Sequence, residues 1–325
     1  MSREEAKCSP TGAQGPMAST QKPEEGSGEG EAPSKVPRPR LVLFQGVPMV
    51  DIFLEGWEEV ENFPAHPSDI IIATYPKAGT TWVQEIVDSI MQGGDVKKCL
   101  RAPVHSRIPF LEFKYCGQPR TTLQQLLNTP PPRVIKTHLP FQLLPKSFLE
   151  QGCKMIYCAR NAKDLMVSYF HFDLMNQLQP DPGTWQEYFQ RFLEGNVSYG
   201  PWHHHVRGWW DQRKCHPILY LFYEDLKEDL KREVVKIARF LEKQISDSAL
   251  DSIVQHTTFE SMKDNPMCNY SSVSTALFDT SVSRFMRKGQ VGNWKDHFTV
   301  AQDQAFEMDY QCKMKDTDLR FRTEL

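Results

Sequence analysis

The sequence YPKAGTTW (residues 75–82) lies between a short apolar run at residues 70–73 and a helical pattern. Phosphate-binding loops of the P-loop type read G-x-x-x-x-G-K-[ST], with the lysine after the last glycine. Here Lys77 precedes Gly79, and two threonines follow. The glycine lets the backbone approach a phosphate, and the helix offers free N–H groups and the positive end of its dipole. The stretch predicts an anion site at a strand-to-helix turn; the alternative is a threonine-capped turn without a ligand.

Short apolar runs alternate with amphipathic helical patterns on both sides of this loop. Apolar residues follow it with the i, i+3, i+4 spacing of a helix with one buried face, at positions 83, 86, 87, 90 and 91. Further apolar runs occur at residues 134–135, 155–159 and 218–222, and the last two precede helical patterns at residues 163–172 and 226–241. Such alternation is typical of a parallel sheet covered on both faces. The sequence therefore predicts a single α/β domain with a central parallel sheet flanked by helices.

Polar residues follow the later apolar runs, at the strand ends where such sheets bind ligands. Lys136 and His138 follow the second run, and a histidine there could act as a general base, although a lone histidine is more often structural. Arg160 follows the third run, and with Ser168 one turn further on it could clamp a second phosphate. The alternative for that pair is helix-start chemistry and surface ion pairing.

Two more polar segments complete the predicted edge. Tyr223 follows the fourth run, and the next two residues, Glu224 and Asp225, could contact a nucleotide or cap a helix. Far downstream, RKGQVGNWK (residues 287–295) combines cations, glycines and a tryptophan in a loop suited to phosphate capture. Each segment has an ordinary surface interpretation. Their predicted convergence on one sheet edge favours a ligand site.

Composition excludes several other classes of protein. A net charge of -3 over 325 residues gives no general attraction for nucleic acid, so any basic site must be local. The sequence contains no apolar stretch of 18 residues, which argues against a membrane span. The first residues also lack the apolar segment of a secretion signal. The eight cysteines are scattered without a CxxC pair, and we predict free thiols. These features favour a cytoplasmic protein.

The first 40 residues differ in composition from the rest. They are rich in Gly, Pro, Ser, Glu and Lys and contain few large apolar side chains. Such a segment cannot bury enough apolar surface to offset its loss of conformational entropy. We therefore predict a disordered tail at residues 1–40 and a folded domain at residues 41–325.

Several motifs together resemble those of the cytosolic sulfotransferases: TYPKAGTTW, KTHLP, CARNAKDLMVSYFHF and FMRKGQVGNWKDHFTV. YLFYEDLKED and QHTTF are most similar to the phenol (aryl) branch, and the resemblance runs from about residue 41 to the end. It implies the P-loop-like sulfotransferase fold. It also implies transfer of a sulfonate group from 3′-phosphoadenosine-5′-phosphosulfate (PAPS) to a hydroxyl, expected to be phenolic, of a small apolar acceptor such as a foreign compound. No metal is implied.

The resemblance also implies roles for individual residues. His138 would take the acceptor proton before in-line attack on sulfur, Lys77 would neutralise the bridging oxygen of the leaving phosphate, and Lys136 would stabilise the equatorial oxygens. The implied cofactor-binding residues are Lys77, Ala78, Gly79, Thr80, Thr81, Trp82, Arg160, Ser168, Tyr223, Thr257, Thr258, Phe259, Glu260, Ser261, Met262, Phe285, Met286, Arg287, Lys288 and Gly289. The implied acceptor-binding residues are Phe110, Phe113, Lys136, Thr137, His138, Phe172, Tyr270 and Leu277; ordinary core packing is the alternative for the aromatic ones.

Three features depart from the family pattern. Asn293 replaces the aspartate of the usual GDW turn, where asparagine is a tolerable replacement. A homodimer is implied through a short segment at residues 295–304, in which Gln304 replaces the usual glutamate. The three consecutive histidines at 203–205 lie outside the pattern, and because they point in different directions a metal site would need other ligands.

Two other functions compete with sulfonate transfer. An ATP-dependent kinase of the P-loop type would need Mg²⁺ and a Walker order that this loop lacks, and only Glu224 and Asp225 favour it. A nucleotide-binding regulator without catalysis would keep the phosphate loops, but the presence of both His138 and Lys77 disfavours it. The aromatic pocket residues indicate a hydroxyl on an apolar body, without separating simple phenols from catecholamines, iodothyronines or steroids.

Overall fold

The computed structural model describes residues 37–114 and 122–325, in which short strands alternate with helices. The strands are β1 (Leu41–Phe44), β2 (Val47–Val50), β3 (Ile70–Thr74), β4 (Val134–Thr137), β5 (Lys154–Ala159) and β6 (Ile218–Phe222). The helices are α1 (Trp57–Glu61), α2 (Thr80–Met91), α3 (Val104–Arg107), α4 (Thr122–Asn128), α5 (Lys146–Glu150), α6 (Ala162–Met175), α7 (Trp185–Glu194), α8 (Trp202–Gln212), α9 (Tyr223–Glu228), α10 (Leu230–Phe240), α11 (Asp247–His256), α12 (Phe259–Lys263) and α13 (Val300–Met314). Short 3₁₀ turns occur at Asp51–Phe53, Val96–Arg101, Phe141–Leu143 and Asn293–Asp296.

The four strands β3 to β6 form the predicted parallel sheet, in the order β4-β3-β5-β6. Ile70 of β3 is in register with Val134 of β4 and with Lys154 of β5, and every neighbouring pair in this sheet is parallel. All four carboxyl ends therefore lie at one edge. The α/β fold predicted from the sequence is confirmed.

Both faces of this sheet are covered by apolar side chains. Alternate residues of β3 point to opposite faces, so Ile70 and Ile72 pack with one buried cluster and Ile71 and Ala73 with another. The first cluster includes Val83 and other apolar residues of α2, whose spacing predicted a buried face. Burial on both sides explains why β3 is an uninterrupted apolar run instead of an alternating one.

Two local features differ from the sequence-based expectation. The single helix expected at residues 226–241 is two helices, α9 and α10, because Asp229 adopts φ −147° and its carboxylate accepts the N–H of Arg232 as an N-cap. In addition, β1 and β2 form an antiparallel hairpin that was not predicted. Its turn places Gln45 and Gly46 in the left-handed region, at φ 47° and 80°.

Most of the predicted tail, residues 1–36, lies outside the described residues. Arg38 belongs to the described part, and its guanidinium donates to the backbone carbonyls of Asp173 (2.6 Å) and Leu174 (3.0 Å) near the end of α6. The packed chain therefore begins at or before Arg38.

The cysteines within the described ranges are free thiols, as predicted. Cys8 and Cys116 lie outside those ranges. None of the described helices combines the length and apolar character needed to cross a membrane.

Candidate active site

The turn between β3 and α2 contains two residues with left-handed backbone angles. Lys77 has φ 68° and Gly79 has φ 100°, a region that costs L-residues about 1–2 kcal/mol and glycine almost nothing. A Cβ atom on Gly79 would lie 2.9 Å from Cδ2 of Tyr223, so close packing also requires glycine. Gly79 is the N-cap residue of α2, and the free N–H groups of the first helical turn therefore face the turn.

Lys77 is a buried cation between two aromatic rings. Its Nζ lies 4.3 Å from the ring centroid of Phe172 and 4.2 Å from that of Phe285. Burial, followed by repulsion from Arg160 and Lys136, lowers the pKa of Lys77 to about 7. An anion bound nearby would stabilise the protonated amine.

His138 directly follows β4, and a hydrogen bond fixes its ring. Nδ1 lies 2.9 Å from the backbone carbonyl oxygen of Thr74. A carbonyl can only accept, so Nδ1 carries the proton and Nε2 keeps its lone pair. Burial, and then the positive charge of Lys136, lower the pKa of His138 well below its usual value. The imidazole is therefore neutral at pH 7 and can accept a proton at Nε2.

Lys136 adds a second buried ammonium group to the same site. Its Nζ lies 4.1 Å from the ring centroid of Phe110, and burial lowers its pKa to about 8. Lys77 and Lys136 interact electrostatically with each other and with His138. This concentration of positive charge favours an anionic ligand.

Residues at the junction of β5 and α6 hold the loop at residues 285–294 against the phosphate turn. Arg160 donates to the backbone carbonyls of Lys77 (3.2 Å) and Gln290 (3.1 Å). Asp164 accepts the N–H groups of Gly292 (2.8 Å) and Trp294 (2.9 Å). Segments near residues 77, 160 and 290, which are far apart in sequence, are thus joined at one place.

Asn293 holds a cation in this loop. Its Oδ1 accepts from Arg287 (2.6 Å) and its Nδ2 donates to Asp296 (2.7 Å). A neutral amide fixes Arg287 without neutralising it, so the guanidinium charge stays available. The Nε atoms of Arg160 and Arg287 are buried and have no hydrogen-bond partner among the described residues.

Aromatic rings surround the next part of the site. Trp82 and Tyr223 are in edge-to-face contact with centroids 5.4 Å apart. Gly289 has φ 62°, and a Cβ there would lie 2.2 Å from Cδ2 of Phe259. The loop backbone therefore lies directly on the Phe259 ring, and the three rings offer faces to a planar base.

The lysines, His138, the two arginines and the aromatic rings line one cavity of about 500 Å³, within the usual size range of small-molecule sites. The predicted residues that line it are Lys77, Gly79, Thr80, Thr81, Trp82, Phe110, Phe113, Lys136, His138, Arg160, Ser168, Phe172, Tyr223, Thr257, Phe259, Met262, Tyr270, Leu277, Phe285, Met286, Arg287 and Gly289.

Six predicted site residues do not line the cavity: Ala78, Thr137, Thr258, Glu260, Ser261 and Lys288. Several of their side chains have structural partners instead. Thr137 donates to Glu112 (2.9 Å), Thr258 caps α12, and Lys288 pairs with Asp296 (3.1 Å). For these residues the structure does not support a side-chain contact with a ligand.

Sequence reasoning missed other cavity residues: Phe53, His105, Asn176, Gln179, Tyr199, Val273 and Phe278. Most lie in turns and loops, where no periodicity marks the buried side. Phe278 could have been found, because it adjoins the predicted Leu277.

The carboxylates that favoured a kinase have other partners. Glu224 accepts from the backbone N–H and the side-chain amide of Asn161, both at 2.9 Å. Asp225 pairs with Arg322 at 2.5 Å. Both side chains therefore tie together parts of the fold.

The three histidines have different environments. His203 and His204 contact each other with ring centroids 4.2 Å apart, and His205 is buried. In the described part of the chain, one group of three residues has its potential metal-ligand atoms within 4.8 Å of one another: Glu85, Cys99 and His256. Glu85 already pairs with Arg107 (2.6 Å) and His256 (2.7 Å), in an ion-pair network between α2, α3 and α11.

Comparisons with known proteins agree with this geometry. Residues 67–318, which include β3 to β6 and every predicted site residue, match the family model described as Sulfotransferase domain. "Sulfotransferase 1B1" of Canis lupus familiaris is 53% identical over 294 residues, covering 90% of this chain and 99% of that protein. "Sulfotransferase 1A1" of Rattus norvegicus is 52% identical over 288 residues, covering 89% and 99%.

Solved structures of proteins in complex with PAP are also similar to this chain. Retinol dehydratase in complex with androsterone and the inactive cofactor PAP has a TM-score of 0.77 and 28% identity, covering 85% of this chain and 89% of that chain. Mouse sulfotransferase SULT7A1 complexed with PAP has a TM-score of 0.71 and 29% identity, covering 86% and 95%.

Proposed function

The chain belongs to the sulfotransferase family and transfers a sulfonate group from PAPS to a hydroxyl acceptor, and we propose that His138 is the general base of this transfer. The observation that carries the proposal is the hydrogen bond from His138 Nδ1 to the Thr74 carbonyl, which leaves Nε2 unprotonated. A phenol with a pKa near 10 is mostly protonated at pH 7, so attack requires a base.

The residues around the cavity fit PAPS, which supplies the sulfonate and a phosphate leaving group. Its 3′-phosphate would be held by Arg160 and Arg287, whose Nε atoms have no partner among the described residues. The turn at residues 77–81 would hold the 5′-phosphate with backbone N–H groups and hydroxyls. Lys77 would neutralise the leaving oxygen and Lys136 the equatorial oxygens, which is electrostatic catalysis by preorganised cations.

We propose a phenolic acceptor because the rest of the cavity is aromatic. Phe110 and Phe113 are stacked at 5.9 Å, and Phe110 contacts the His138 ring edge-to-face at 5.1 Å. A flat ring placed against them would bring its hydroxyl beside the base. A screen of phenols, aliphatic alcohols and steroids with labelled PAPS tests this, and a clear preference for aliphatic alcohols would contradict it.

The decisive experiment for the base is His138→Ala. Turnover on a simple phenol should fall about 10²-fold or more, since a positioned base contributes that much. Affinity for PAP (adenosine 3′,5′-bisphosphate, the product left when PAPS loses its sulfonate) should change little, because His138 is assigned no contact with it. His204→Ala, an exposed histidine on α8, is the control. Near-normal turnover in His138→Ala would reject the assignment.

We also propose a homodimer through residues 295–304. Val300 is 76% exposed, and Gln304 is exposed beside it on α13. A patch this small lies well below a standard interface of about 1,600 Å². A carboxylate at position 304 would make a stronger hydrogen bond than an amide. Two-fold symmetry repeats this contact, so the interface would gain the additional binding energy at both copies. Sedimentation should therefore show tighter association for Gln304→Glu; equal association would exclude position 304 as an important contact.

The proposed location is the cytoplasm. Free buried thiols such as Cys99 and Cys153 suit a reducing compartment. Fractionation of cells that express the full chain tests the location, and recovery in the secreted fraction would contradict it.

A further inference from the structure

His205 and Trp209 lie on the same face of α8, one turn apart, and both are buried, at 1% and 0% exposure. His205 is the third residue of the histidine run that the proposed function leaves unexplained. Both side chains meet the segment that follows β4, where the proposed base lies.

The two side chains donate hydrogen bonds to consecutive backbone carbonyls. His205 Nε2 lies 2.9 Å from the carbonyl oxygen of His138, and Trp209 Nε1 lies 3.2 Å from that of Leu139. Because carbonyls only accept, His205 carries its proton on Nε2. Its Nδ1 then accepts the hydroxyl of Tyr157 at 2.8 Å, which fixes this tautomer.

The same peptide segment is held from its other side by Glu112. That carboxylate accepts the backbone N–H of His138 (2.7 Å) and the hydroxyl of Thr137 (2.9 Å). β4 ends at Thr137 and lies at the edge of the sheet, so the ladder gives His138 no partner. Pro140 has no N–H to offer. Side chains therefore replace the missing sheet hydrogen bonds.

We propose that His205 is a positioning residue of the transfer reaction, which holds the main chain of His138 so that its Nε2 stays within reach of the acceptor hydroxyl. This inference rests on the proposed role of His138. Displacement of a catalytic group by about 1 Å can cost about 10²-fold in rate. Among the three histidines, the buried one thus serves the reaction without contacting substrate.

Two substitutions at His205 separate its two hydrogen bonds. His205→Gln places an amide nitrogen near the former Nε2 and keeps the donor to His138. His205→Asn keeps an acceptor for Tyr157 near the former Nδ1 but cannot reach His138. We expect kcat to fall about 10- to 100-fold in His205→Asn and less than about 3-fold in His205→Gln. PAP affinity, measured by calorimetry, should stay unchanged in both, and His204→Asn is the matched control on the exposed side of α8.

Three results would overturn the inference: normal kcat in His205→Asn, equal losses in both His205 variants, or a parallel loss of kcat and PAP affinity. If His205→Asn does not fold, Trp209→Phe decides, because it keeps the ring packing and removes the donor to Leu139. Trp209→Phe should lower kcat about 3- to 10-fold, and an unchanged kcat would reject the proposal that α8 side chains position this segment. A large loss of turnover in His138→Ala together with normal turnover in His205→Asn would reject only this inference. Normal turnover in His138→Ala would reject the proposed base, and this inference with it.

Discussion

At the scale of single residues, we predict that binding of the nucleotide changes the protonation state of Lys77. Its pKa of about 7 lies below the usual value because of burial and neighbouring cations, and a bound phosphate would raise it again. At pH 8 the amine is mostly neutral, so PAP binding should take up a proton there; at pH 6 it is already charged and should take up almost none. Calorimetry in buffers of different ionisation enthalpy measures this uptake. Lys77→Arg, which stays charged, should reduce it at pH 8, and unchanged uptake would exclude Lys77 as its source.

Gly152 and Gly289 have nearly equal φ angles, so substitutions at the two positions distinguish the cost of backbone strain from the cost of close packing. Gly289 (φ 62°) lies on the Phe259 ring, whereas a Cβ added to Gly152 (φ 63°) would meet no atom of the described residues within 4 Å. Gly152→Ala should therefore cost only the left-handed strain, about 1–2 kcal/mol of unfolding free energy. Gly289→Ala should cost more and also weaken PAP binding about 10-fold or more, because the loop must move from Phe259. Equal effects in urea unfolding and PAP titration would show that packing at position 289 is unimportant.

At the scale of elements, Asp164 anchors the loop at residues 285–294. Its carboxylate accepts two backbone N–H groups of that loop, and hydrogen bonds to charged groups contribute about 1.5–3 kcal/mol each. Asp164→Ala should weaken PAP binding about 10-fold or more while the sheet stays folded by circular dichroism. Glu324→Ala removes an exposed carboxylate that pairs with Lys295 just beyond the same loop, and it should change affinity less than about 3-fold. Similar losses in both variants would contradict an anchoring role for Asp164.

Elements buried on both faces could be predicted from the sequence, and elements set by local side-chain chemistry could not. β3, β5 and α2 carry strong apolar patterns and are largely buried. Because ligands bind at the carboxyl ends of parallel strands, the residues that follow the strands, His138 and Arg160, could then be placed at one edge. The break between α9 and α10 at Asp229 was not predicted, because the apolar pattern continues across the residue that caps α10. Gln179 lies in a loop and His105 in the one-turn helix α3, and neither was predicted because tertiary packing alone brings these residues to the cavity.

At the scale of the whole molecule, Arg38, near the start of the described residues, attaches the chain to α6. Arg38 donates to carbonyls at the C-terminal end of that helix, where a cation is also favoured by the helix dipole. Removal of residues 1–36 should leave the melting temperature unchanged, because this segment contains few large apolar side chains. Removal of residues 1–40 should lower it by about 2–5 °C, from the loss of about 1–2 kcal/mol, and Arg38→Ala in the full chain should reproduce most of the drop. Identical melting of both truncated chains would contradict a stabilising role for Arg38.

The dependence of the site on Arg287 and its loop fixes an order of events during synthesis. The last strand of the parallel sheet ends at Phe222, and the ribosome adds Arg287 roughly 65 residues later. At about 5–20 residues per second this interval lasts about 3–13 s. During that time the emerging sheet has no complete pocket for PAPS, so the nucleotide cannot guide its folding. A chain cut short by a stop codon in this interval could form the sheet and still be unable to hold its donor.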